Sequence, residues 1–408
     1  MTDGQLIVAC DFGTSAFRAV VIETGGGRAR VLAGATQAAD GFQDGDFVDV
    51  KSGILAVAQV LRSLQDAADL DITGFSYNVA GSHLRSVLAT GQVPIGPQAR
   101  EITQHDVDEV MKMARSLTIP FNHRILAVNP VEFVVDRVAG IADPRGREGS
   151  RLEVKAHLIT GSCSVIRNVE NAIEKAGFTP VGCAVDVLAA ATCLLTDDER
   201  DKGVLFIDVG GTVTHWAAIV GGCLLGVGTT PWGGAHMTGD LASGLRISAE
   251  AAEAVKCDRG VALRSLVEEV DVNVLFDQND PEETPGLVAA ILEPRLEEIL
   301  SLVKDGLGPN LPLARFGAGI VLTGGGSRCR GSRELCEEVF GLPTSTRYTP
   351  VDVEGLDDLP HGHWATALGL ALWGSGREET EADAAAGPGA AGGLKARLKG
   401  LFGRKGHG

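Results

Sequence analysis

The chain has 408 residues, 44% of them hydrophobic, enough apolar surface to bury a large core and to argue for two or more globular domains rather than a disordered chain. Its net charge of −17 disfavours the phosphate backbones of nucleic acids as partners. Eight scattered cysteines without a Cys-x-x-Cys pair read as reduced, mostly buried thiols, and neither a secretory leader nor an 18-residue apolar span is evident, so a cytoplasmic location is expected.

In chain order, residues 6–10 (LIVAC) form a short apolar run rich in branched side chains, predicted as a buried strand, and they lead into the turn Asp11-Phe12-Gly13-Thr14-Ser15. Residues 204–207 (VLFI) lead in the same way into Asp208-Val209-Gly210-Gly211-Thr212, and a third glycine turn, LTGGGS, occupies 322–327. Glycine allows backbone amides to approach phosphate oxygens, and an aspartate at a strand end holds a divalent cation through water. With 54 glycines in the chain, any one of these turns carries little information. Three in this order predict one nucleotide held between two related half-domains.

Between the first two turns, residues 80–163 read as a small α+β insert. Thr103 and Asp106 have capping-box spacing, and Val107, Val110, Met111, Ala114 and Leu117 keep helical spacing behind them. Two strands follow at 125–136 and 151–160, the second alternating Leu152, Val154, Ala156 and Leu158 with Glu153, Lys155 and His157. The insert lacks a nucleophile with its base and lacks metal-ligand spacing, so it reads as an interaction surface. Beyond the second turn, residues 232–256 predict helix after their glycines; Glu253 and Lys256, three apart on one face, are placed to clamp a ribose, the plainer reading being solvated helix charges.

The C-terminal end changes character. Residues 375–393, rich in Ala, Gly and acid without period, predict a flexible tether. Residues 394–408 carry five cations and no acid, +5 against −22 on the rest of the chain. Leu394, Leu398, Leu401 and Phe402 share one side of a helical wheel, with Lys395, Arg397 and Lys399 toward its flanks and back. Such a basic amphipathic segment suits an anionic membrane surface; the plainer reading is a disordered solubilising end. Gly400 and Gly403 each cost a helix about 1 kcal/mol, so folding is coupled to binding and one copy attaches weakly, which favours many linked copies, a polymer.

Taken together, the three turns resemble the phosphate-1, phosphate-2 and adenosine motifs of the actin, heat-shock chaperone and sugar-kinase superfamily. Within it, TDDERDKGVLFIDVGG, WGGAHMTGDLASGLRISAEAAEAVK, ADPRGREGSRLEVKAHLITG and GIVLTGGGSRCRGSRELCEEVFGLP resemble FtsA, the actin-like protein family of bacterial cell division, over most of residues 5–374. The resemblance implies an actin-like α/β fold of two ribonuclease-H-like halves: subdomain 1A at 1–79, 164–200 and 349–374, the insert called 1C at 80–163, 2A at 201–228 and 312–348, 2B at 229–311, a linker at 375–393 and a membrane-targeting amphipathic helix at 394–408.

The same resemblance implies ATP and Mg2+ as ligands. Asp11, Gly13, Thr14, Ser15 and Arg18 would surround the phosphates, with Arg18 where actin has a lysine; Asp208, Gly210, Gly211 and Thr212 would form the second loop; Gly324, Gly325, Gly326 and Ser327 would pack on adenosine, with Glu253 and Lys256 at the ribose. Asp11 and Asp208 would serve the metal, and Asp186 and His215 water or catalysis. The family's usual DIGGGTTD is DVGGTVTH here, so Thr212 takes a glycine place and His215 an aspartate place. A threonine crowds the phosphate if that position needs positive φ. His215 reads either as a buried structural histidine or as the counterpart of an actin histidine near the attacking water. The implied function is a filament beneath the inner membrane at the division site. It would anchor the tubulin-like protein FtsZ, whose C-terminal peptide binds within 229–311, and would recruit late division proteins through the insert; basic residues such as Arg259, Arg264, Arg295 and Lys304 are candidates to meet that peptide. A pilus-assembly actin homologue and a sugar or acetate kinase are the competing readings, the kinase giving no reason for a tethered basic tail.

Overall fold

A computed structural model describes residues 5–25, 28–116, 119–267, 285–350, 353–360 and 362–384, with the backbone alone for 285, 358 and 375–384. The apolar run of the first strand continues into an antiparallel meander, β1 (Gln5–Phe12), β2 (Ala16–Gly25) and β3 (Arg28–Ala38). Helix α1 (Val50–Ala68) returns the chain to β4 (Gly74–Val79), parallel to β1. The insert follows as β5 (Arg85–Pro94), α2 (Gln104–Arg115), β6 (His123–Val135), β7 (Val138–Ile141) and β8 (Arg151–Ser162). Then α3 (Cys163–Lys175) and β9 (Thr179–Val185) complete a sheet in the order β9-β4-β1-β2-β3.

Two short helices, α4 (Asp186–Leu194) and α5 (Asp197–Lys202), carry the chain to a second half that repeats the plan. Strands β10 (Val204–Val209), β11 (Thr214–Val220) and β12 (Cys223–Thr230) form the meander. Helices α6 (Gly234–Leu245), α7 (Ala249–Arg259) and α8 (Pro285–Leu307) intervene before β13 (Ile320–Thr323), α9 (Ser332–Phe340) and β14 (Thr344–Thr346). The sheet order β12-β11-β10-β13-β14 reproduces the first sheet strand for strand, so the molecule is a duplicated α/β fold with one insert. Strand β15 (Val353–Glu354) pairs with the edge strand β3, and α10 (Ala365–Ala384) packs on α4 and β1, closing the chain back onto the first half.

The apolar strand runs are buried on both faces, as parallel sheets between helices require: Val204, Leu205, Phe206 and Ile207 have no exposed surface. In the insert, Leu152, Val154, Ala156 and Leu158 alternate inward along β8 and meet Val110 and Ala114 of α2, at about 1.5–3 kcal/mol for each large side chain. The capping box forms at the head of α2, where the Asp106 carboxylate accepts the Thr103 N–H at 2.8 Å and its hydroxyl at 2.7 Å, while Arg100 adds a 2.7 Å ion pair. Leu117 lies outside the described residues.

Two local readings are corrected. The helix expected across 232–256 is two helices, because Arg246 closes α6 in the left-handed region (φ 58°) and the Ser248 hydroxyl caps α7 by accepting the Ala251 N–H at 3.2 Å. At the other end, α10 runs to Ala384, into the stretch from 375 read as a flexible tether. Glu378, Glu379, Glu381, Ala382 and Ala384 are strong helix formers, and they extend a helix whose first turns are already buried against α4, at a cost of about 1 kcal/mol for each intervening glycine. Residues 385–408, including the whole amphipathic segment, lie outside the described residues.

Candidate functional site

The first glycine turn is a hairpin between β1 and β2 whose flanks, Phe12 and Phe17, are directly paired across the strands with ring centroids 5.0 Å apart. Phe42, Phe47, Phe75 and Tyr77 pack around Phe12, and Asn78 Oδ1 accepts the Phe12 N–H at 2.7 Å, so the turn stands on a rigid aromatic base. The second turn is the same hairpin in the other half, between β10 and β11. Its carbonyls at Gly210 and Gly211 accept the N–H groups of Gly234 (2.9 Å) and Ala235 (2.7 Å), which ties it to the start of α6.

The two turns face each other. A methyl group on Gly211 would lie 2.4 Å from Thr14 Oγ1 and 2.9 Å from Ser15 Oγ, so a residue with a side chain there would have to displace those two hydroxyls. The third turn joins them at the end of β13, where Gly324 has φ +92° and a methyl would lie 2.4 Å from Asp208 Oδ1. Gly325 faces open space, while Gly326 approaches the start of α6. Asp11, Gly13, Thr14, Ser15, Arg18, Asp208, Gly210, Gly211, Thr212, Gly324, Gly325, Gly326 and Ser327 thus lie on or beside three turns that meet between the halves.

Three carboxylates lie among these turns, Asp11 and Asp186 buried and Asp208 half-buried. Burial raises Asp11 to about 7, with the Arg18 charge opposing and the Asp186 charge adding to it. Burial raises Asp208 to about 7 as well, with repulsion from Asp186 and Asp11 on either side of an opposing contribution from His215. Asp186, at the N-terminus of α4, is raised to about 7 by burial against the pull of the helix amides. His215 is pushed down to about 4, chiefly by burial, and is neutral; its Nδ1 bonds Thr229 Oγ1 at 2.8 Å and its Nε2 lies 3.1 Å from Asp186 Oδ2 in a poorly aligned contact.

Arg18 Nε, Asp186 Oδ1, Thr212 Oγ1 and His215 Nε2 are all buried without a hydrogen-bond partner. Four such atoms on one crevice are costly unless a polar ligand and its water meet them, and carboxylates forced toward neutrality suit a cation that restores their charge. The residues present thus fit a phosphate ligand and a divalent cation. Thr212 stays out of the left-handed region, so the strain expected of a threonine in a glycine place does not arise. Among the described residues no three His, Cys, Asp or Glu side chains are grouped as direct metal ligands.

Glu253 and Lys256 sit on α7 beside the third turn, paired at 2.6 Å. Lys256 is buried, and its Nζ also donates to Gly234 O (3.0 Å) and Thr238 Oγ1 (2.7 Å); Thr238 bonds Glu253 in turn. Thr238 escaped sequence reasoning, although its place on α6 one turn beyond the glycines was a usable signal. Tyr348, Arg328 and His363 around the third turn were missed as well, since no motif joins segments so far apart in the chain. Of the basic residues expected to meet a peptide, Arg264 bonds Ala290 O (3.2 Å), Lys304 bonds Val339 O (2.6 Å), and Arg295 bonds Asp240 and Glu298 while lying over Trp232. Leu394, Lys395, Leu398, Lys399, Leu401 and Phe402 lie outside the described residues, and no described helix is long and apolar enough to cross a membrane.

Residues 81–160 match the family profile described as the SHS2 domain inserted in FTSA, and residues 205–369 match that of Cell division protein FtsA. The chain is 31% identical over 376 residues to the Cell division protein FtsA of Pseudomonas aeruginosa, covering 91% of this chain and 89% of that protein. Among solved structures it resembles the PilM-PilN type IV pilus biogenesis complex (TM-score 0.58, 20% identity, 90% of this chain and 98% of the other). It also resembles MreB5 of Spiroplasma citri bound to ADP (TM-score 0.54, 14% identity, 93% and 99%).

Proposed function

The chain belongs to the FtsA family of bacterial cell division proteins, a group with the actin-like fold, and on that premise we propose that it binds ATP with Mg2+ in the crevice, polymerises on the inner face of the cytoplasmic membrane and anchors the FtsZ ring at the division site. The observation that carries the nucleotide part is the meeting of three glycine turns from two halves around buried polar atoms that lack partners. An ADP-bound relative in shape supports it.

Thr14, Ser15, Gly210, Gly211 and Thr212 would cradle the phosphates, and Arg18 would meet their charge. Asp11 and Asp208 would hold the cation's waters, and the cation, when bound, supplies counter-charge to the phosphate oxygens. Asp186 and His215 together orient a water. A neutral imidazole with its pKa near 4 is a weak base, so turnover is expected to be slow. Gly324, Gly325, Gly326 and Ser327 would receive adenosine, and Glu253 and Lys256 the ribose.

Outside the crevice, the FtsZ C-terminal peptide would dock within 229–311, competing there for cations already paired inside the chain. The insert would meet late division proteins. The tail would bind anionic lipid through Leu394, Lys395, Leu398, Lys399, Leu401 and Phe402, firmly only when filament formation links many copies.

Titration of the purified protein with ATP, with and without magnesium, tests the nucleotide reading, and absence of binding at millimolar ATP refutes it. Deletion of residues 394–408 tests the anchor. A truncated protein still found in the membrane fraction refutes that part while leaving the nucleotide reading intact.

A further inference from the structure

The third turn is clasped by side chains from the segment that leads back to the first half. The chain crosses from β14 back to the first half, passing Tyr348 before β15 and His363 after it. His363 precedes Trp364, a buried ring whose Nε1 donates to Pro360 O at 2.8 Å and which packs on Gly34 of β3, so this stretch is rooted in the first half. From there His363 Nε2 accepts the N–H of Gly324 at 3.0 Å and lies 3.4 Å from Thr323 Oγ1. Tyr348 Oη donates to Ser327 O at 3.0 Å and stands 3.1 Å from Ser327 Oγ, which itself donates to Gly324 O at 2.8 Å. Arg328 lies over the Tyr348 ring at 4.8 Å, and that ring meets His363 edge-on at 5.4 Å.

These bonds have a direction. Gly324 is the residue whose positive φ turns the chain out of β13, and its N–H has no strand partner left at that point. An acceptor supplied from the opposite half satisfies it and fixes how far the halves stand apart at the adenosine end. Apolar residues would fill the same volume without doing so. Burial, with the Arg328 and Arg18 charges nearby, holds His363 down at about 3, so the accepting lone pair is present throughout the neutral range.

We propose that His363 is a positioning residue of the nucleotide crevice: its lone pair, with the Tyr348 hydroxyl beside it, latches the Gly324-to-Arg328 turn of the second half onto the first half and presets that turn for an adenine nucleoside. The inference rests on the ATP reading above. His363 touches the turn and not the phosphates, so its removal weakens binding without abolishing it.

Full-length wild type, His363→Ala and His363→Gln are titrated with a fluorescent ATP analogue and magnesium, and the thermal unfolding of each is followed without nucleotide. Loss of one buried acceptor predicts about tenfold weaker binding for His363→Ala. For His363→Gln, whose Oε1 reaches the place of Nε2, binding within about threefold of wild type is expected, with nucleotide-free midpoints of all three within about 3 °C. Equal affinity of wild type and His363→Ala overturns the inference, and so does His363→Gln binding as weakly as His363→Ala, which marks lost packing rather than a lost acceptor. If His363→Ala does not fold, amide exchange in wild type decides: at least about tenfold slower exchange at Gly324 with ATP bound is expected, and unchanged exchange overturns the latch. Wild type that binds no nucleotide sinks the ATP reading and this inference together, an outcome distinct from the others.

Discussion

The first two glycine turns occupy the same place in the two halves, yet the residue facing each aspartate across its hairpin differs. Asp11 is paired in register with Arg18, and Asp208 with His215. A permanent cation lies beside the first carboxylate; a neutral imidazole that also reaches Asp186 lies beside the second. One hairpin sets a guanidinium beside its carboxylate; the other brings together an imidazole Nε2 and an Asp186 Oδ1 that both lack hydrogen-bond partners. The same loop thus carries different chemistry in the two halves, and the difference lies at one facing position.

The largest effect that sharpens this contrast is steric. Gly211→Val thrusts a side chain against Thr14 and Ser15, and at least a hundredfold loss of ATP affinity by calorimetry is expected. Gly13→Ala, whose methyl meets Ala16 O at 3.0 Å and other atoms only at 3.8 Å, should lose under tenfold. Next comes the division of labour. Arg18→Ala is expected to weaken ATP binding about tenfold to thirtyfold through loss of a charged contact. His215→Ala should change affinity less than about threefold while slowing single-turnover hydrolysis at least about tenfold. Equal losses of affinity in both variants would break the comparison.

The smallest effect is on the stability of the nucleotide-free protein. Asp208 is raised to about 7 in the fold, above its ordinary carboxylate range, so the native state holds more protons than the unfolded chain between about pH 4 and 7. Its contribution is fully present below that window and is lost as pH rises through 7. Asp208→Asn should therefore raise the unfolding midpoint by a few degrees at pH 8 and scarcely at pH 5. Asp11→Asn should gain less, because it strands Arg18. A gain that is larger at pH 5 than at pH 8 contradicts the buried-charge account.

Much of the fold was legible because the features that build it are local. Branched apolar runs ending in aspartate and glycine marked β1 and β10, and the alternation in 151–160 marked β8. Glu253 and Lys256 were legible as a pair through helical spacing alone. What escaped depends on distance in the chain: Thr238 meets Lys256 across two helices, and His363 meets Gly324 across a whole β-α-β return, contacts that no spacing rule contains. The end of α10 escaped for a different reason: the stretch from 375 shows no helical period of its own in its Ala, Gly and acid content, and it continues a helix whose first turns are held by tertiary packing.

The insert belongs by sequence to the first half, yet β6 and β8 lie against β12 of the second. Asn129, opposite His157 in the sheet, is buried at this seam with both amide atoms unpaired. Rotating one half against the other would have to shear this back brace. Further along, Thr229 of the same β12 hydrogen-bonds His215, which faces Asp208 across its hairpin, so one strand borders both the insert and the glycine turns.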